Sequence, residues 1–281
     1  MTDPSGCQDY QFTAEFYDHV TPYKERTDVA FFVQAAQECG GPVLEVGCGT
    51  GRVLTPIARA GIAITGLDLA ESMLAVCRER LAAESPEVQA RVRLVQADMR
   101  DFDLTSQGAT HFQSALHLPP YKLITLPFRP FQHLLTVEDQ LACLACLHRH
   151  LAADGRLVLD LFNPSFAYLA SDTVGQEMGE EPEFIMPDGR RVVRRSKVVA
   201  RDYFTQVNQV ELIYYVTHPD GHTERLVHAF PMRYLFRYEA EHLLARAGFT
   251  VEQLYADYDR SPFGAKYPGE LIFVTRKGDG G

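Results

Sequence analysis

Apolar runs alternate with helical patterns along the first 165 residues of the chain. Short runs rich in β-branched residues predict strands at 42–47, 62–69, 92–99, 122–128 and 156–162. Between these runs, apolar residues recur at helical spacing in the segments 51–61, 70–84 and 136–155. Because strands that alternate with helices are joined by right-handed crossovers, this pattern predicts an α/β fold whose parallel sheet is covered on both faces.

The longest helical pattern carries signals at both ends. Thr136 is a candidate N-cap with Asp139 at the third helical position, and Gly155 is expected to close the exit. Cys143 and Cys146 lie inside this pattern without a second pair or a turn. We therefore expect both cysteines to pack in the core rather than to bind metal or serve redox chemistry.

Beyond residue 166 the pattern changes to alternation of apolar and polar positions. Two Pro-Asp-Gly triplets, at 187–189 and 219–221, separate β-rich stretches and predict hairpin turns. This region therefore indicates a small antiparallel sheet inserted into the parallel fold. A helical pattern returns at 236–249, and two further strands are predicted at 250–257 and 269–277.

The composition is that of a soluble globular protein, with 281 residues of which 46% are hydrophobic and 23% charged. The net charge of −10 argues against partners such as nucleic acid or an anionic membrane, because both attract a basic surface. No apolar run has the length of a membrane span, and the N-terminus lacks an apolar signal region. We therefore expect a cytoplasmic protein.

A glycine-rich turn follows the first predicted strand, in the segment VLEVGCGTGRV (43–53). Glu45 is the one acid of the strand, and the glycines stand at alternate positions, Gly47, Gly49 and Gly51. Glycines at this point let the backbone turn tightly and let a ligand approach it. Open α/β sheets bind ligands at this edge, and Asp68 ends the second strand about 20 residues further on, where a carboxylate can accept both hydroxyls of a ribose.

The acid and the glycine spacing distinguish between two classes of cofactor. A dinucleotide fingerprint has the spacing G-x-G-x-x-G and holds a pyrophosphate at the helix N-terminus. A carboxylate beside a pyrophosphate is repulsive, whereas a carboxylate beside an ammonium and a sulfonium is attractive. Glu45 therefore favours a cationic ligand that contains adenosine and no phosphate, which is S-adenosylmethionine. A glycine-rich turn without a ligand and an NAD-dependent oxidoreductase are the alternatives.

With these motifs the sequence resembles the class I S-adenosylmethionine-dependent methyltransferases. Three segments carry the resemblance, VLEVGCGTG (43–51), GLDLAESML (66–74) and QADMRDF (96–102), and it covers about 36–165 and 236–277. It implies a Rossmann-like sheet of seven strands with helices on both faces and an antiparallel last strand. The inserted sheet resembles the small antiparallel lid of sugar-amine and glycine N-methyltransferases, which recognise small molecules.

The resemblance also suggests how the chain is organised. We expect an N-terminal helical lid segment, a Rossmann-like core that binds S-adenosylmethionine, an inserted antiparallel β lid and a return to the core with the last helix and two strands. The expected boundaries are 1–35, 36–165, 166–235 and 236–281.

Several cofactor-binding residues are implied by the resemblance. Glu45 and the backbone carbonyl of Gly47 would hold the methionine amino group, and Asp68 would hold the ribose. Asp98 would accept from the adenine amine, although a surface turn acid is the alternative. The segment 15–28 resembles the N-terminal lid of small-molecule members, whose tyrosines close over the methionine end, with ordinary core packing as the alternative. The full expected set is Tyr17, Tyr23, Glu45, Gly47, Cys48, Gly49, Gly51, Asp68, Leu69, Met73, Asp98, Met99, Leu126 and Phe128.

The acceptor would lie beside the end of the fourth strand, TLPFRPFQHLL (125–135). There we expect Phe131, Gln132 and His133 to face the acceptor. His133 is the candidate catalytic base because imidazole titrates near neutrality, and capping of the next helix is the alternative. Four residues complete the expected substrate-facing set: Arg233, Tyr234, Tyr258 and Arg260. The connection 105–120 is unusually long, and its His111 and His117 form too sparse a set to predict a metal site.

The sequence thus predicts a methyltransferase that acts on nitrogen or oxygen of a small-molecule acceptor, with S-adenosylmethionine as its cofactor. A homodimer is one expected assembly. Two other functions stay open on the same fold. An aminopropyl transferase would need acids near the fourth strand, where Arg129 stands instead. A non-catalytic module that only binds S-adenosylmethionine would have no use for an aromatic acceptor wall.

Overall fold

The computed structural model describes residues 10–24, 26–104, 120–179 and 181–278. Most of the long connection after the third strand, with His111 and His117, lies outside the described residues. The chain enters through short N-terminal helices: α1 (Tyr10–Tyr17), α2 (Thr21–Lys24) and α3 (Asp28–Cys39). Helix α3 ends at Gly40, whose left-handed backbone lets its N–H bond the carbonyl of Ala36.

A Rossmann-like unit follows these helices. In chain order its elements are β1 (Val43–Val46), α4 (Leu54–Arg59), β2 (Ile64–Asp68), α5 (Glu71–Ala82), α6 (Pro86–Gln89), β3 (Val92–Gln96), β4 (Tyr121–Leu126), the 3-10 turn Pro130–His133, α7 (Val137–His150) and β5 (Leu151–Phe162). The strands predicted here from apolar runs are confirmed.

The chain then forms the inserted sheet and returns to the core. These elements are α8 (Phe166–Leu169), β6 (Glu177–Met178), β7 (Phe184–Ile185), β8 (Arg191–Asp202), β9 (Val207–Thr217), β10 (Thr223–Arg233), α9 (Arg237–Arg246), β11 (Phe249–Tyr255) and β12 (Glu270–Lys277). Both Pro-Asp-Gly triplets form turns between antiparallel strands, as predicted, with Gly189 at φ 86° and Gly221 at φ 89°.

The main sheet of the described chain has seven strands in the order β11-β12-β5-β4-β1-β2-β3. Strand β12 is antiparallel to both of its neighbours, while β1, β2, β3, β4 and β5 pair in parallel. The predicted α/β fold with an antiparallel last strand is therefore confirmed. The second sheet has the order β10-β9-β8-β6, and β7 also pairs with β8. This second sheet is called the lid below.

The predicted start of helix α7 is confirmed, whereas its predicted end is wrong. Thr136 caps the helix, because its side-chain oxygen accepts from the backbone N–H of Asp139 at 3.0 Å. The exit predicted at Gly155 is wrong, since α7 ends at His150 and Leu151 already has extended backbone. Gly155 lies inside β5, where a Cβ atom would lie 2.8 Å from the Leu151 side chain and from the Tyr121 carbonyl. Close packing, not helix termination, explains that glycine.

The parallel sheet is buried on both faces. Along β1, Val43 belongs to the cluster that packs against α3 and α4, whereas Leu44 and Val46 belong to the cluster under α7 and α9. Burial on both faces is why the strands read as continuous apolar runs. Cys143 and Cys146 are buried in the second of these clusters, which confirms their predicted role in packing.

Helix α1 joins the lid to the core. Its Phe16 is buried against Tyr214 of β9, with ring centroids 5.6 Å apart and nearly parallel planes. On its other side, Ala14 packs with Ala70 and Met73 at the start of α5. The lid is thus held over one edge of the sheet by an aromatic contact with the N-terminal segment. Within the described ranges, no helix has the length and apolar character needed to cross a bilayer.

Candidate active site

A cavity of about 480 Å³ lies at the carboxyl ends of the parallel strands and extends under the lid. Two parts of its wall differ in chemistry. The strand side consists of the ends of β1, β2 and β3 and includes Glu45, Gly49, Asp68, Asp98 and Met99. The lid side consists of His133, Leu212, His228, Phe230 and Met232.

The glycine turn after β1 provides an open backbone to the strand side. Gly47 has φ 73°, and a Cβ atom there would lie 2.6 Å from Pro130, so a larger residue would displace the turn after β4. Gly49 has φ 53° and no described heavy atom within 4 Å of where its Cβ would lie. A ligand can therefore approach the backbone at Gly49 without hindrance.

Glu45 is a buried carboxylate with an unused oxygen. Its residue is 2% exposed, and its Oε2 has no hydrogen-bond partner among the described residues. Burial raises the pKa of Glu45 well above its usual range, although the charge of Arg52 opposes this shift. A buried acceptor without a donor is costly, so this oxygen favours a ligand that brings a cationic donor.

Asp68 is held in place by backbone donors. Its Oδ2 accepts from the N–H of Gly49, and its Oδ1 accepts from the N–H of Ala70, both at 2.8 Å. Burial raises the pKa of Asp68, while these two backbone bonds act in the opposite sense. Each carboxylate oxygen still has a further lone pair, so both can accept from the neighbouring hydroxyls of a ribose.

Asp98 forms an ion pair at the far end of the strand side. The guanidinium of Arg100 donates to it at 2.6–3.0 Å, and the backbone N–H of Arg100 donates at 2.8 Å. These side-chain hydrogen bonds hold the pKa of Asp98 below its ordinary value despite its partial burial. Arg100 also reaches Asp139 of α7 at 3.2 Å, and both residues line the cavity.

Three aromatic rings meet where the two sides of the cavity join. The ring centroids of Tyr17 and Tyr23 are 4.7 Å apart, and those of Tyr23 and Phe128 are 4.9 Å apart. Phe128 and Arg129 have φ 63° and 70°, a backbone region that costs roughly 1–2 kcal/mol per non-glycine residue. The Phe128 N–H donates to Asp160 at 3.2 Å, which helps to hold this strained turn.

A network of buried charges lies behind these rings. Arg26 lies 4.5 Å above the Phe128 ring and donates to Asp28 at 3.0 Å and to the Tyr258 hydroxyl at 2.6 Å. Arg52, which follows the glycine turn, binds both oxygens of Asp28. The N-terminal segment is therefore tied to the cavity wall by ion pairs as well as by aromatic packing.

The lid side of the cavity is mostly apolar and contains two imidazoles. The ring centroids of His133 and His228 lie 5.3 Å and 4.9 Å from that of Phe230. His228 is 1% exposed, and His133 is half-buried. Burial and the neighbouring His228 lower the pKa of His133 to about 4, so its ring is neutral at physiological pH.

Most of the residues expected at the cofactor line one cavity. The predicted residues in its wall are Tyr17, Tyr23, Glu45, Gly47, Cys48, Gly49, Asp68, Leu69, Met73, Asp98, Met99, Phe128 and His133. Their individual roles remain predictions. Gly51 and Leu126 lie outside this lining, and their expected placement is corrected. Gly51 packs against Cys77, where a Cβ atom would come within 2.6 Å of Sγ, and Leu126 points into the core cluster under α7.

The acceptor-facing residues expected near β4 and β10 are also corrected, apart from His133. Phe131 is buried in the core. Gln132 donates to the carbonyl of Arg233 at 2.9 Å and accepts from the N–H of Phe162 at 2.7 Å. The guanidinium of Arg233 turns to the Leu135 carbonyl at 3.0 Å. These side chains brace the turn after β4 instead of facing the cavity.

Three more expected substrate contacts lie outside the cavity lining. Tyr234 is 3% exposed and follows the end of β10. Tyr258 donates to the buried carboxylate of Asp160, and Arg260 pairs with Glu38 of α3 at 2.9 Å. Tyr234 is buried, and Tyr258 and Arg260 bind nearby carboxylates. All three side chains therefore already have partners within the protein.

Sequence reasoning missed the lid residues and the charged pairs of the wall. His228, Phe230 and Met232 occupy alternate positions of β10 and share one face, which is the period of a strand. That alternation is visible in the sequence, but it does not show which face covers the cavity. Arg52 belongs to the segment 43–53 and Arg100 to the segment 96–102. Both line the cavity wall, and each is paired with an aspartate.

Comparisons with known proteins find methyltransferases. Residues 43–155 match the family model described as a methyltransferase domain. The dTDP-3-amino-3,6-dideoxy-alpha-D-glucopyranose N,N-dimethyltransferase of Streptomyces fradiae is 26% identical, over 85% of this chain and 84% of the relative. The methyltransferase CcbJ of Streptomyces caelestis has a TM-score of 0.72 at 24% identity, with 98% of each chain covered. DesVI of Streptomyces venezuelae has a TM-score of 0.65 at 21% identity, with 99% of each chain covered.

The fold, the site and the matched domain define a Rossmann-like methyltransferase. The chain contains a methyltransferase domain whose cofactor is S-adenosylmethionine, and its whole fold, lid included, is shared with the methyltransferase CcbJ. Methyl transfer is thereby favoured over the aminopropyl-transfer and NAD-dependent alternatives that the sequence left open. The residues present fit the cofactor, because Glu45 offers an unpartnered buried oxygen and Gly49 an unobstructed backbone.

Proposed function

We propose that this enzyme transfers the methyl group to the nitrogen of a small-molecule amine. One observation carries the proposal: among the described lining residues, the carboxylates belong to the strand side and to α7, whereas the lid side offers apolar groups and two imidazoles. A neutral amine needs only alignment and desolvation to attack a methyl group on a cationic sulfur. A hydroxyl would need a stronger base than an imidazole whose pKa is about 4.

The proposed roles on the strand side follow from charge and hydrogen-bonding capacity. Glu45 would take the ammonium of the cofactor, which supplies the donor that its Oε2 lacks. Asp68 would accept from the ribose hydroxyls with the lone pairs that its two backbone donors leave free. Asp98, at the end of β3, would accept from the adenine amine, beside the backbone of Met99.

The aromatic rings would surround the reacting group. Tyr17, Tyr23 and Phe128 present π faces near the junction of the two sides, and such faces attract a cation. When bound, S-adenosylmethionine would supply a methyl group on a positive sulfur for attack by the acceptor nitrogen, with the sulfur as leaving group and the excess proton of the nitrogen lost to solvent. The rings also exclude water from this junction.

The named relative supports nitrogen as the acceptor atom. The Streptomyces fradiae protein is described as an N,N-dimethyltransferase of an amino sugar, and it aligns with most of this chain. We extend only the amine from that description to the present enzyme. The five described cysteines carry free thiols, which supports our prediction of a cytoplasmic location. The domain boundaries predicted above and a homodimeric assembly also remain proposals, and light scattering on the purified protein would test the assembly.

A screen with isotope-labelled S-adenosylmethionine tests the proposal. Panels of small primary and secondary amines, matched to alcohols and phenols of the same skeleton, are incubated with enzyme and analysed by mass spectrometry. We expect label in amines and none in the matched hydroxyl compounds. Glu45→Gln should abolish the signal, and Glu87→Gln, on the exposed helix α6, is the matched control. Label that appears only in hydroxyl compounds would contradict nitrogen transfer.

A further inference from the structure

Three side chains on one face of β10 form the roof of the lid side. His228, Phe230 and Met232 stand at alternate positions and all line the cavity. His228 is paired in register with Leu212 of β9, which also lines the cavity. Because directly opposed residues of an antiparallel pair point to the same face, this face of the hairpin is turned toward the site of transfer.

His133 approaches the same place from the core. It ends the 3-10 turn Pro130–His133, and its ring centroid lies 5.3 Å from that of Phe230 in β10. Gln132 binds the Arg233 carbonyl at the end of β10 and the N–H of Phe162 in β5. Gln132 therefore fixes the 3-10 turn relative to β10. The imidazole rings of His133 and His228 both lie next to the Phe230 ring.

The cations of the cavity wall are already neutralised. Arg52 is bound to Asp28 at 2.6 and 2.7 Å, and Arg129 to Glu270 at 2.6 and 2.7 Å. Arg100 is held by Asp98. A diphosphate needs several unengaged donors, usually from arginine or lysine. Each arginine of the described lining is already paired with a carboxylate; the buried Nε of Arg129 has no hydrogen-bond partner, but this single N–H does not supply the several donors that a diphosphate needs.

We propose, building on the amine-methyltransferase function above, that the lid side is a specificity site for an apolar amine without phosphate groups. The imidazoles of His133 and His228 accept hydrogen bonds from the N–H groups of the acceptor, and Phe230 packs against its carbon skeleton. His228 is thus an acceptor-positioning residue. This distinguishes the enzyme from the relative that is described as acting on a dTDP-sugar.

The arrangement has a chemical consequence. A primary or secondary amine donates its N–H bonds to the neutral imidazoles, and its lone pair is left to form the new bond with the methyl carbon. The product leaves as an ammonium and gives its excess proton to solvent, because an imidazole with a pKa of about 4 is too weak a base to take it. The free base of a tertiary amine has no N–H to donate, so the site should hold the neutral form of a fully methylated product weakly.

Binding of simple amines to the enzyme loaded with S-adenosylhomocysteine tests the proposal. The probes are 2-phenylethylamine with its N-methyl and N,N-dimethyl derivatives, and thymidine diphosphate represents the phosphorylated class. By calorimetry, with affinities calculated for the free base present at the pH of the experiment, we expect the primary and secondary amines to bind, and the tertiary amine to bind roughly fivefold or more weakly, as loss of a hydrogen bond implies. Thymidine diphosphate should neither bind nor displace them.

Variants of His228 separate positioning from packing. His228→Leu should weaken 2-phenylethylamine roughly fivefold or more, and His228→Gln, which keeps an acceptor oxygen, should recover part of the loss. His222→Leu, an exposed position on the turn of the same hairpin, is the matched control and should change nothing. The dissociation constant of S-adenosylhomocysteine should be the same in all variants, because His228 lies on the lid side.

Several outcomes would overturn the inference. These are failure of 2-phenylethylamine to bind the wild type, equal binding to wild type and His228→Leu, or displacement of the amine by thymidine diphosphate. Each leaves the proposed function standing if the labelled screen still methylates an amine. Conversely, loss of S-adenosylhomocysteine binding by the wild type, or label only in hydroxyl compounds, would refute the proposed function itself.

Discussion

Arg52 and Asp28 are joined by two hydrogen bonds of 2.6 and 2.7 Å between the glycine turn and the first residue of α3. Asp28 is fully buried, and burial opposes its ionisation. The hydrogen bonds and charge of Arg52, with a smaller part from Arg26, outweigh burial and keep the pKa of Asp28 below its ordinary value. This ion pair therefore links the glycine turn after β1 to the N-terminal segment.

Removal of Arg52 should destabilise the protein strongly. Arg52→Leu leaves Asp28 as a buried charge with a single guanidinium partner, and breaking a buried ion pair costs about 3–5 kcal/mol. Urea denaturation followed by circular dichroism measures the change. Arg59→Leu is the control, because Arg59 pairs with Glu84 at the surface and solvent screens that pair. Equal effects of both substitutions would contradict the structural importance of Asp28.

Asp68→Ala should weaken cofactor binding. Hydrogen bonds to a charged group contribute about 1.5–3 kcal/mol, so the dissociation constant of S-adenosylmethionine should rise roughly tenfold or more. Calorimetry measures this constant, and thermal melting shows whether the turn that Gly49 and Ala70 anchor on Asp68 is still folded. Asp154→Ala removes an exposed acid far from the strand side and should have no effect. Unchanged affinity in a folded Asp68 variant would overturn the ribose assignment.

Cofactor binding should release a proton from Glu45. In the empty site burial raises the pKa of this carboxyl well above its usual range, and a bound ammonium lowers it again. Because the bound form holds fewer protons, affinity should increase as the pH rises through the raised pKa. Calorimetry in two buffers of different ionisation enthalpy counts the protons released. The Glu45→Gln variant should not release this proton when S-adenosylmethionine binds. Equal numbers of released protons for the wild type and the variant would contradict the prediction.

Tyr23→Ala should loosen the cofactor without unfolding the core. Tyr23 contacts Tyr17 and Phe128, and an aromatic pair contributes about 0.5–1.5 kcal/mol beyond its buried area. We expect the dissociation constant of S-adenosylmethionine to rise several-fold, with a small change in melting temperature. Tyr203→Ala, at an exposed position on the β8–β9 turn, is the control. An unchanged constant for Tyr23→Ala would argue for plain core packing.

His133 should make the enzyme less stable in mild acid. Its pKa in the folded protein is about 4, whereas an ordinary histidine titrates near 6.5. Between these values the unfolded chain binds a proton that the folded chain does not, so the free energy of unfolding falls as the pH falls from 6.5 to 4. His133→Gln should flatten this slope in urea titrations, while exposed His222→Gln should not. A slope that is the same in both variants would contradict a His133 ring that stays neutral down to about pH 4.

Local patterns were enough to predict the elements of the core. Burial on both faces makes the parallel strands continuous apolar runs, and Thr136 capped α7 as its chemistry suggested. Gly155 shows the limit of the same reasoning. A glycine is equally suitable for ending a helix and for close packing within a strand. The close approach of Leu151 and Tyr121 shows that packing is the reason here.

The acceptor side was harder to predict because its residues are distant in sequence. Arg260 and Tyr258 are chemically suitable for a substrate, yet Glu38 and Asp160 lie close enough in space to engage them. His228 carries no local signal, since alternation in β10 marks two faces without saying which one covers the cavity. Phe128 reaches the aromatic cluster through a left-handed backbone that no propensity predicts.

The sequence by itself determined the parallel sheet, the glycine turn and the position of Glu45 and Asp68 near the ends of their strands. Strand period and turn chemistry act over a few neighbouring residues, so a local pattern is enough to predict them. Only the tertiary structure decided which arginines pair with carboxylates and which face of the lid lines the cavity. It also decided that the rings of His133 and His228 both contact Phe230. Several of these outcomes depend on contacts between distant segments, such as His133 with Phe230, about 100 residues apart, and Arg129 with Glu270, 141 residues apart. Such contacts are set by the packing of the whole chain, which no local pattern encodes.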